Sequence, residues 1–204
     1  HAVRLVMPSG VCACETVSRG LCGEDILITT QCGARGYVGA DPGQLGQVLV
    51  NLVVNARDAM EQGGRISIET KNVQLGEHYT SEHAPVVAGH YVMLAVGDNG
   101  VGMNGDTKEH AFDPFFTTKD PGKGTGLGLA TVYGIVKQSG GYTWTYSEPG
   151  LGTTRKLDVH EVRAAAAVGP VGGTPASHKA GRQGAETTVR DGVGESRRGG
   201  AGAL

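Results

Sequence analysis

The strongest constraint on the fold is an amphipathic segment at residues 41–61, which predicts one long helix with a buried face. Apolar residues recur along it at intervals of three and four. They are Leu45, Val48, Leu49, Leu52, Val53, Ala56, Ala59 and Met60. Asp41 and Pro42 suit the cap and the first turn, and Gly63 with Gly64 ends the pattern. Such a helix needs another apolar surface to cover its buried face.

Three polar residues of this segment border the apolar face. With about 100° between successive residues of a helix, Asn51, Asn55 and Asp58 lie within about 60° of one another, beside the apolar stripe rather than opposite it. Asparagine is a weak helix former, so two of them four residues apart favour a role in a cleft. A solvated helix flank is the structural alternative.

Short apolar runs separated by glycine-rich turns predict strands on both sides of this helix. Strand patterns lie at residues 26–30, 65–73, 91–98, 142–147 and 153–159, and a second helix pattern lies at residues 126–138. The segment 91–98 is apolar on both faces, which predicts a central strand, although Gly97 is expected to loosen the sheet there. Helices interleaved with antiparallel or mixed strands indicate one sheet with helices on one face.

Composition divides the 204 residues into three zones. Residues 1–19 show no sustained period and are expected to form an irregular flank, whereas residues 20–160 are expected to form the folded domain. Residues 161–204 consist mainly of small and polar residues. We expect this tail to be disordered, because it cannot bury enough apolar surface to offset the entropy of ordering it.

Charge and cysteine spacing argue against several other classes of protein. The net charge of −2 gives no reason to expect nucleic acid or an anionic membrane as a partner, and no apolar run approaches the roughly 20 residues of a spanning helix. The four cysteines, Cys12, Cys14, Cys22 and Cys32, fit no common zinc spacing. We interpret them as reduced and incidental, since the rest of the chain is typical of the cytoplasm.

The segment DNGVGM at residues 98–103 directly follows the central strand pattern. A carboxylate such as that of Asp98 accepts a hydrogen bond from an exocyclic amine like that of adenine. Gly100 and Gly102 would allow a ligand to approach the backbone closely. A hairpin turn is the structural alternative.

The stretch GKGTGLGL at residues 122–129 opens the second helix. Unpaired amides and the positive end of the helix dipole suit phosphate groups at such a position. The P-loop spacing fails because the residue five before Gly122 is Thr117. The dinucleotide-binding fingerprint fails because residues 113–121 are polar and rich in turn formers rather than a strand. The stretch therefore predicts a different kind of phosphate-binding loop.

Taken in order, four motifs resemble the catalytic ATP-binding domain of bacterial sensor histidine kinases. NLVVNARDAM at residues 51–60 resembles the N box, and DNGVGM at residues 98–103 resembles the first glycine box. FDPFFTTK at residues 112–119 resembles the F box, and GTGLGL at residues 124–129 resembles the second glycine box. The amino-acid sequences of the N and F boxes are most similar to those of the hybrid, PAS-linked type of sensor kinase.

The resemblance implies an α/β (α+β) two-layer sandwich, the Bergerat fold, in which a mixed, mostly antiparallel sheet carries helices on one face and a mobile ATP lid at residues 112–119. Asn51 and Lys119 would act in catalysis, Asn55 would hold Mg²⁺, and Asp98 would read the adenine. The residues implied to bind ATP are Asn51, Asn55, Asp58, Asp98, Gly100, Gly102, Met103, Phe115, Thr118, Lys119, Gly124, Thr125, Gly126, Leu127, Gly128 and Leu129.

Two departures from the family pattern stand out. Arg155 takes the place of an aromatic residue near the last strand, where Leu157 and Val159 keep a period of two, so we expect a weak edge strand. The helical hairpin that bears the phosphate-accepting histidine has no counterpart in residues 1–19. We therefore expect the acceptor on another chain or segment.

The resemblance implies two protein partners, a histidine-bearing dimerisation domain and the receiver domain of a response regulator. It also implies a cytoplasmic protein or the cytoplasmic part of a membrane-tethered sensor, with no direct membrane contact by this segment. A nucleotide-binding module without transferase activity is one alternative function. An ATPase of the gyrase or chaperone type is another, although those relatives usually carry glutamate where this chain has Asn51.

Overall fold

The computed structural model describes residues 4–6, 20, 22–83 and 85–162, and its core is a mixed sheet covered by helices on one face. In this part of the chain, the strands are β1 (Arg4–Val6), β2 (Ile26–Cys32), β3 (Tyr37–Gly39), β4 (Gly64–Leu75), β5 (Gly89–Asp98), β6 (Tyr142–Glu148) and β7 (Gly152–Val162). The helices are α1 (Pro42–Asp58), α2 (Glu77–Glu82), α3 (Gly105–His110) and α4 (Gly128–Gln138).

The sheet follows the order β1-β3-β7-β5-β4-β2, and β6 pairs with β7 beside this path. Only the β2–β4 pair is parallel among the described strands, so the sheet is mixed and mostly antiparallel as predicted. Strand β5 lies between β4 and β7. Its central position is the reason that apolar residues are needed on both of its faces.

Helix α1 forms where its capping pattern predicts. The Asp41 carboxylate accepts a hydrogen bond from the backbone amide of Gln44 at 3.0 Å, and Pro42 is the first helical residue. The residues of the helix that are fully buried against the sheet are Val48, Leu49, Leu52, Val53 and Ala56. The border beside this buried stripe, which carries the two asparagines, is only half buried. The helix therefore presents polar side chains at the edge of the core.

Strand β7 is not the weak edge strand that the pattern around Arg155 predicted. It runs for 11 residues and pairs with β5 on one side and with β6 and β3 on the other. Leu157 and Val159 are 2% and 3% exposed. Position in a sheet depends on partners that are distant in sequence, and the local period of two does not contain that information.

Gly97 does not loosen the sheet, contrary to the expectation from its position in a strand. The pairing of β5 with β4 and β7 continues without interruption through Gly97, which lies between Ser67 and Thr154. A Cβ atom at position 97 would come within 2.8 Å of the Ser67 hydroxyl and 3.1 Å of the Thr154 hydroxyl. The glycine therefore permits these two neighbouring side chains to approach each other across β5.

The structure adds short elements that the local patterns did not predict. The flank expected to be irregular contains β1, which pairs antiparallel with β3 and is too short to show a period of its own. Strand β7 continues to Val162, past the expected domain end at residue 160. Cys22 is buried in the core. The expected tail from residue 163 onward, Cys12 and Cys14 lie outside the described residues.

No helix among the described residues is long and apolar enough to cross a lipid bilayer.

Candidate nucleotide-binding site

An open cleft of about 1250 Å³ lies between helix α1, the start of α4, the loop that follows β5 and the segment 112–125. Thirteen of the residues predicted to bind ATP line it, namely Asn51, Asn55, Asp58, Asp98, Gly102, Met103, Thr118, Lys119, Gly124, Thr125, Gly126, Gly128 and Leu129. Gly100, Phe115 and Leu127 do not line it. All four motifs therefore contribute residues to one cleft.

The two asparagines of α1 lie against the first residue of α4. Asn51 donates from Nδ2 to the carbonyl oxygen of Gly128 at 3.2 Å, and Asn55 donates from Nδ2 to the carbonyl of Asn51 at 2.8 Å. Because the amide nitrogen of Asn55 is engaged, its side-chain oxygen is the atom left to bind a cation in the cleft. This donor fits Mg²⁺, which prefers oxygen ligands and takes much of its coordination from substrate phosphates and water.

The beginning of helix α4 supplies the electrostatics for an anion. Its cap residue, Leu127, makes no side-chain capping hydrogen bond, and Gly128 lines the cleft. The helix has 11 residues, so its first-turn amides carry the partial positive charge of an aligned dipole. An anion in the cleft would face this charge and the amide side chain of Asn55 together.

Lys119 reaches across the cleft and pairs with Asp58 of helix α1. Its ammonium nitrogen lies 2.5 Å from Oδ2 of Asp58, while Arg57 binds Oδ1 of the same carboxylate at 2.6 Å. Burial by itself raises the pKa of Asp58, but the hydrogen bonds from Lys119 and Arg57 outweigh it and hold this pKa below its usual value. The carboxylate is therefore ionised near neutral pH and pairs with both cations, whose combined charge it neutralises in part.

Asp98 lies at the other end of the cleft, where β5 ends. Its Oδ1 accepts hydrogen bonds from the backbone amides of Gly100 at 3.0 Å and of Thr153 at 3.2 Å. Burial raises the pKa of Asp98, and the Gly100 amide, the charge of Arg155 and the Thr153 amide offset part of that rise. With Oδ1 engaged by the protein, Oδ2 is the acceptor that remains for a ligand amine.

The glycines of the segment 98–103 also serve the protein's own packing, a role that the sequence pattern did not predict. A Cβ atom at Gly100 would collide with the carbonyl of Ala59, and one at Gly102 would collide with the carbonyl of Glu148. Gly102 also has a positive φ of 68°. These residues bring the loop close to the end of α1 and to the turn after β6, and that packing shapes the wall of the cleft.

A backbone hydrogen bond joins Phe115, within the predicted lid, to Gly126, which lies just before helix α4. The amide of Phe115 donates to the carbonyl of Gly126 at 2.9 Å, and a Cβ atom at Gly126 would collide with the Phe115 backbone. Phe115 is 74% exposed and has a φ of 68°, a value rare for a residue with a side chain. Its role here is to shape the loop, and its ring does not contribute to the lining of the cleft.

Sequence reasoning missed three polar residues that line the cleft or act on its charges. Arg57 binds the carboxylate of Asp58, and the amide of Thr153 binds Asp98. Arg155 lines the cleft and is 7% exposed. The signal was present for Arg155, because it occupies an inward-facing position in the alternating pattern of β7, where a charged residue needs an explanation.

Comparison with protein families supports the same interpretation of the cleft. Residues 40–163 match the family described as histidine kinase-, DNA gyrase B- and HSP90-like ATPase. The sensor kinase CckA of Brucella abortus is 47% identical over 138 residues, which is 67% of this chain and 15% of CckA. The sensor histidine kinase ZraS of Escherichia coli is 40% identical over 118 residues, which is 58% of this chain and 22% of ZraS.

Among solved structures, full-length ShkA in complex with AMPPNP superposes with a TM-score of 0.64 at 22% identity, covering 80% of this chain and 32% of ShkA. At this level of identity the similarity concerns the fold alone. The chain thus spans a minor part, between 15% and 32%, of these larger proteins.

Proposed function

The chain belongs to the family of histidine kinase-, DNA gyrase B- and HSP90-like ATPases, and from this premise we propose that it binds Mg-ATP and transfers the γ-phosphoryl group to a histidine of a dimerisation domain. That histidine lies on another chain or on another segment of a longer protein. The curated relatives are sensor kinases, and this chain is similar to 15% of one and 22% of another. The activity proposed here is therefore that of a catalytic domain.

One observation carries the proposal, which is the convergence of four different groups on one cleft. The amide side chain of Asn55, the start of α4, the ammonium group of Lys119 and the carboxylate of Asp98 all line it. Phosphoryl transfer requires positioning and charge neutralisation more than covalent chemistry from the protein. The first three groups suit a triphosphate with its metal ion, and the fourth suits a base that carries an amine.

Each group has a distinct part in the proposed reaction. Asp98 accepts a hydrogen bond from the exocyclic amine of adenine, and the first-turn amides of α4 receive the phosphates. Asn55 would hold Mg²⁺, which would supply charge neutralisation at the phosphate oxygens. Lys119 leaves Asp58 and neutralises charge on the γ-phosphoryl group as it is transferred. Residues 112–119 close over the nucleotide and exclude water.

Transfer to a histidine is favoured over hydrolysis because an amide side chain, rather than a carboxylate, contacts the first residue of α4. Asn51 lies there, and its amide nitrogen is engaged with the carbonyl of Gly128. An amide side chain does not accept a proton near neutral pH, so it cannot activate water as a carboxylate would. We therefore expect slow intrinsic hydrolysis of ATP.

The partners follow from this reaction and are part of the same proposal. A histidine-bearing dimerisation domain would receive the phosphoryl group, and the receiver domain of a response regulator would take it next. We propose that the domain works in the cytoplasm, within a sensor kinase of the hybrid, PAS-linked type. No feature of the site calls for nucleic acid.

Calorimetric titration of the chain with ATP, with and without Mg²⁺, tests the proposal. Saturable binding that Mg²⁺ strengthens is the expected result, followed by transfer of label from γ-labelled ATP to a dimerisation domain supplied separately. Absence of ATP binding would overturn the proposal. Binding without transfer to any supplied histidine domain would favour a nucleotide-binding module, and rapid release of inorganic phosphate would favour an ATPase.

A further inference from the structure

Arg155 is a buried cation whose hydrogen-bonding capacity is almost unused. It is 7% exposed and lies on the inner face of β7, between positions occupied by Thr153 and Leu157 that are also buried. The methylene part of the side chain can fill the space of an aromatic ring. That explains why the stem is buried, but it does not explain a buried guanidinium, which carries five N–H donors.

The protein provides very few hydrogen-bond acceptors for this guanidinium. Among the described residues, its hydrogen bonding is limited to a weak contact from Nη2 to the thioether sulfur of Met103 at 3.7 Å. Its Nε is enclosed and has no hydrogen-bond partner, and the same holds for the hydroxyl of Thr145, which lies opposite Arg155 in the β6–β7 pair. A buried charged group with unsatisfied donors is costly. An acceptor from a bound ligand would remove much of that cost.

The position of Arg155 indicates which part of a ligand it would meet. It lines the same cleft as Met103 and Asp98 and contacts Met103. Its charge acts on Asp98. A ligand group that satisfies both side chains must present a donor to the carboxylate next to an acceptor for the guanidinium.

Purine bases have this arrangement, and on the edge that carries N7 guanine presents two acceptors where adenine presents one. Adenine offers its N6 amine as a donor beside the N7 acceptor, whereas guanine offers N–H donors together with the O6 and N7 acceptors. Arginine pairs with O6 and N7 of guanine through two parallel hydrogen bonds. A carboxylate alone would repel the O6 carbonyl of guanine and so favour adenine. A neighbouring guanidinium attracts O6 and removes this disadvantage of guanine.

Resting on the proposed nucleotide-binding function, we propose that Arg155 contacts the purine base beside Asp98 and determines base specificity, so that this cleft accepts guanine as well as adenine nucleotides. Arg155 then determines the choice of nucleotide at the base end of the site. It leaves the phosphate end of the cleft, where Asn55 and Lys119 lie, unaffected.

Calorimetric dissociation constants for Mg-ATP and Mg-GTP test the inference with the wild-type chain and the variants Arg155→Met and Arg155→Phe. We expect wild type to bind the two nucleotides within tenfold of each other. Both variants should lose at least tenfold more affinity for GTP than for ATP. Arg65→Met is the matched control, because Arg65 is exposed and does not line this cleft, and it should leave the ratio unchanged.

Two results would overturn the inference. One is a wild-type chain that binds ATP but prefers it over GTP by more than tenfold, a measurement that does not depend on how the variants fold. The other is an unchanged ratio in folded Arg155→Met, with folding checked by thermal unfolding without nucleotide. Failure of wild type to bind either nucleotide would instead overturn the proposed function itself, and this inference with it.

Discussion

The ammonium nitrogen of Lys119 lies 2.5 Å from Oδ2 of Asp58, so an ion pair connects the proposed lid to helix α1. The two side chains are 32% and 23% exposed, which protects the pair in part from solvent screening. In the proposed reaction the same lysine neutralises the γ-phosphoryl group. Asp58 thus offers Lys119 the negative charge that phosphate would offer in the proposed reaction, and the pair holds residue 119 against helix α1.

The coupling between these two residues is measurable by a double-mutant cycle with Asp58→Asn and Lys119→Met. Because the pair is partly buried, we expect a coupling of about 1 kcal/mol in the free energy of unfolding near neutral pH. Urea denaturation of the four proteins measures it. The pair Lys123–Asp120, with side chains 73% and 75% exposed, is the matched control and should show no coupling. Equal values for both pairs would contradict this interpretation.

The pH dependence of the same pair follows from the lowered pKa of Asp58. A carboxyl group whose pKa is lower in the folded state stabilises the protein above its unfolded pKa, and this stability is lost as the pH falls through the folded value. The loss therefore occurs below about pH 4, the pKa of an unperturbed aspartate. Asp58→Asn should be less stable than wild type near pH 7, and the difference should shrink under acid conditions. A difference that persists at low pH would exclude this cause.

The sequence predicted which segments meet at the cleft, but it did not predict which of their atoms meet each other. Asn51, Asn55 and Asp58 were placed on one border of α1 by the helical period alone, and all three line the cleft. The pairing of Asp58 with Lys119 depends on the path of a loop 61 residues later. No local period or motif spacing contains that distance.

Local patterns did not contain the packing of two glycines or the position of one strand in the sheet. Gly100 and Gly102 were predicted to let a ligand approach the backbone, and the structure adds that both make room for carbonyl groups of the protein. Strand β7 was predicted at an edge and lies inside the sheet. In both cases the deciding contact comes from a residue distant in sequence, which a pattern within one segment cannot reveal.

Removal of the Asn55 side chain should abolish the contribution of Mg²⁺ to ATP binding without unfolding the protein. Asn55 is only half buried and lies outside the apolar stripe of α1, so Asn55→Ala should keep the fold. Calorimetry should show a loss of at least tenfold in Mg-ATP affinity and little change without Mg²⁺. Gln47→Ala, at an exposed position of the same helix, is the control. A variant that binds Mg-ATP like wild type would contradict the position of the metal.

Replacement of Asp98 by asparagine should raise stability and lower ATP affinity. Burial raises the pKa of Asp98, which means that ionisation of this group destabilises the folded state at neutral pH. Asparagine can keep the two bonds from the Gly100 and Thr153 amides to Oδ1, but its Nδ2 then faces the adenine amine, donor against donor. We expect a higher melting temperature without nucleotide and at least tenfold weaker binding of ATP.

The pH dependence of ATP affinity distinguishes the loss of a hydrogen bond from Asp98 to the base from a general loss of structure. For wild type, ATP affinity should fall as the pH drops through the raised pKa of Asp98, because the protonated carboxyl group has lost its charge. For Asp98→Asn, that part of the pH dependence should be absent. Identical profiles for the two proteins would show that Asp98 does not contact the base.

Replacement of two glycines by alanine should separate the stability of helix α4 from the shape of the loop before it. Gly134 lies inside the helix with no atom within 4 Å of an added Cβ, so Gly134→Ala should stabilise the protein by about 1 kcal/mol, the difference in helix propensity. Gly126 has a φ of 65°, and its Cβ would collide with the Phe115 backbone. Gly126→Ala should therefore displace the loop that precedes α4 and weaken ATP binding. Thermal unfolding and calorimetry measure the two effects, and normal ATP affinity in Gly126→Ala would show that this loop does not contact the phosphates.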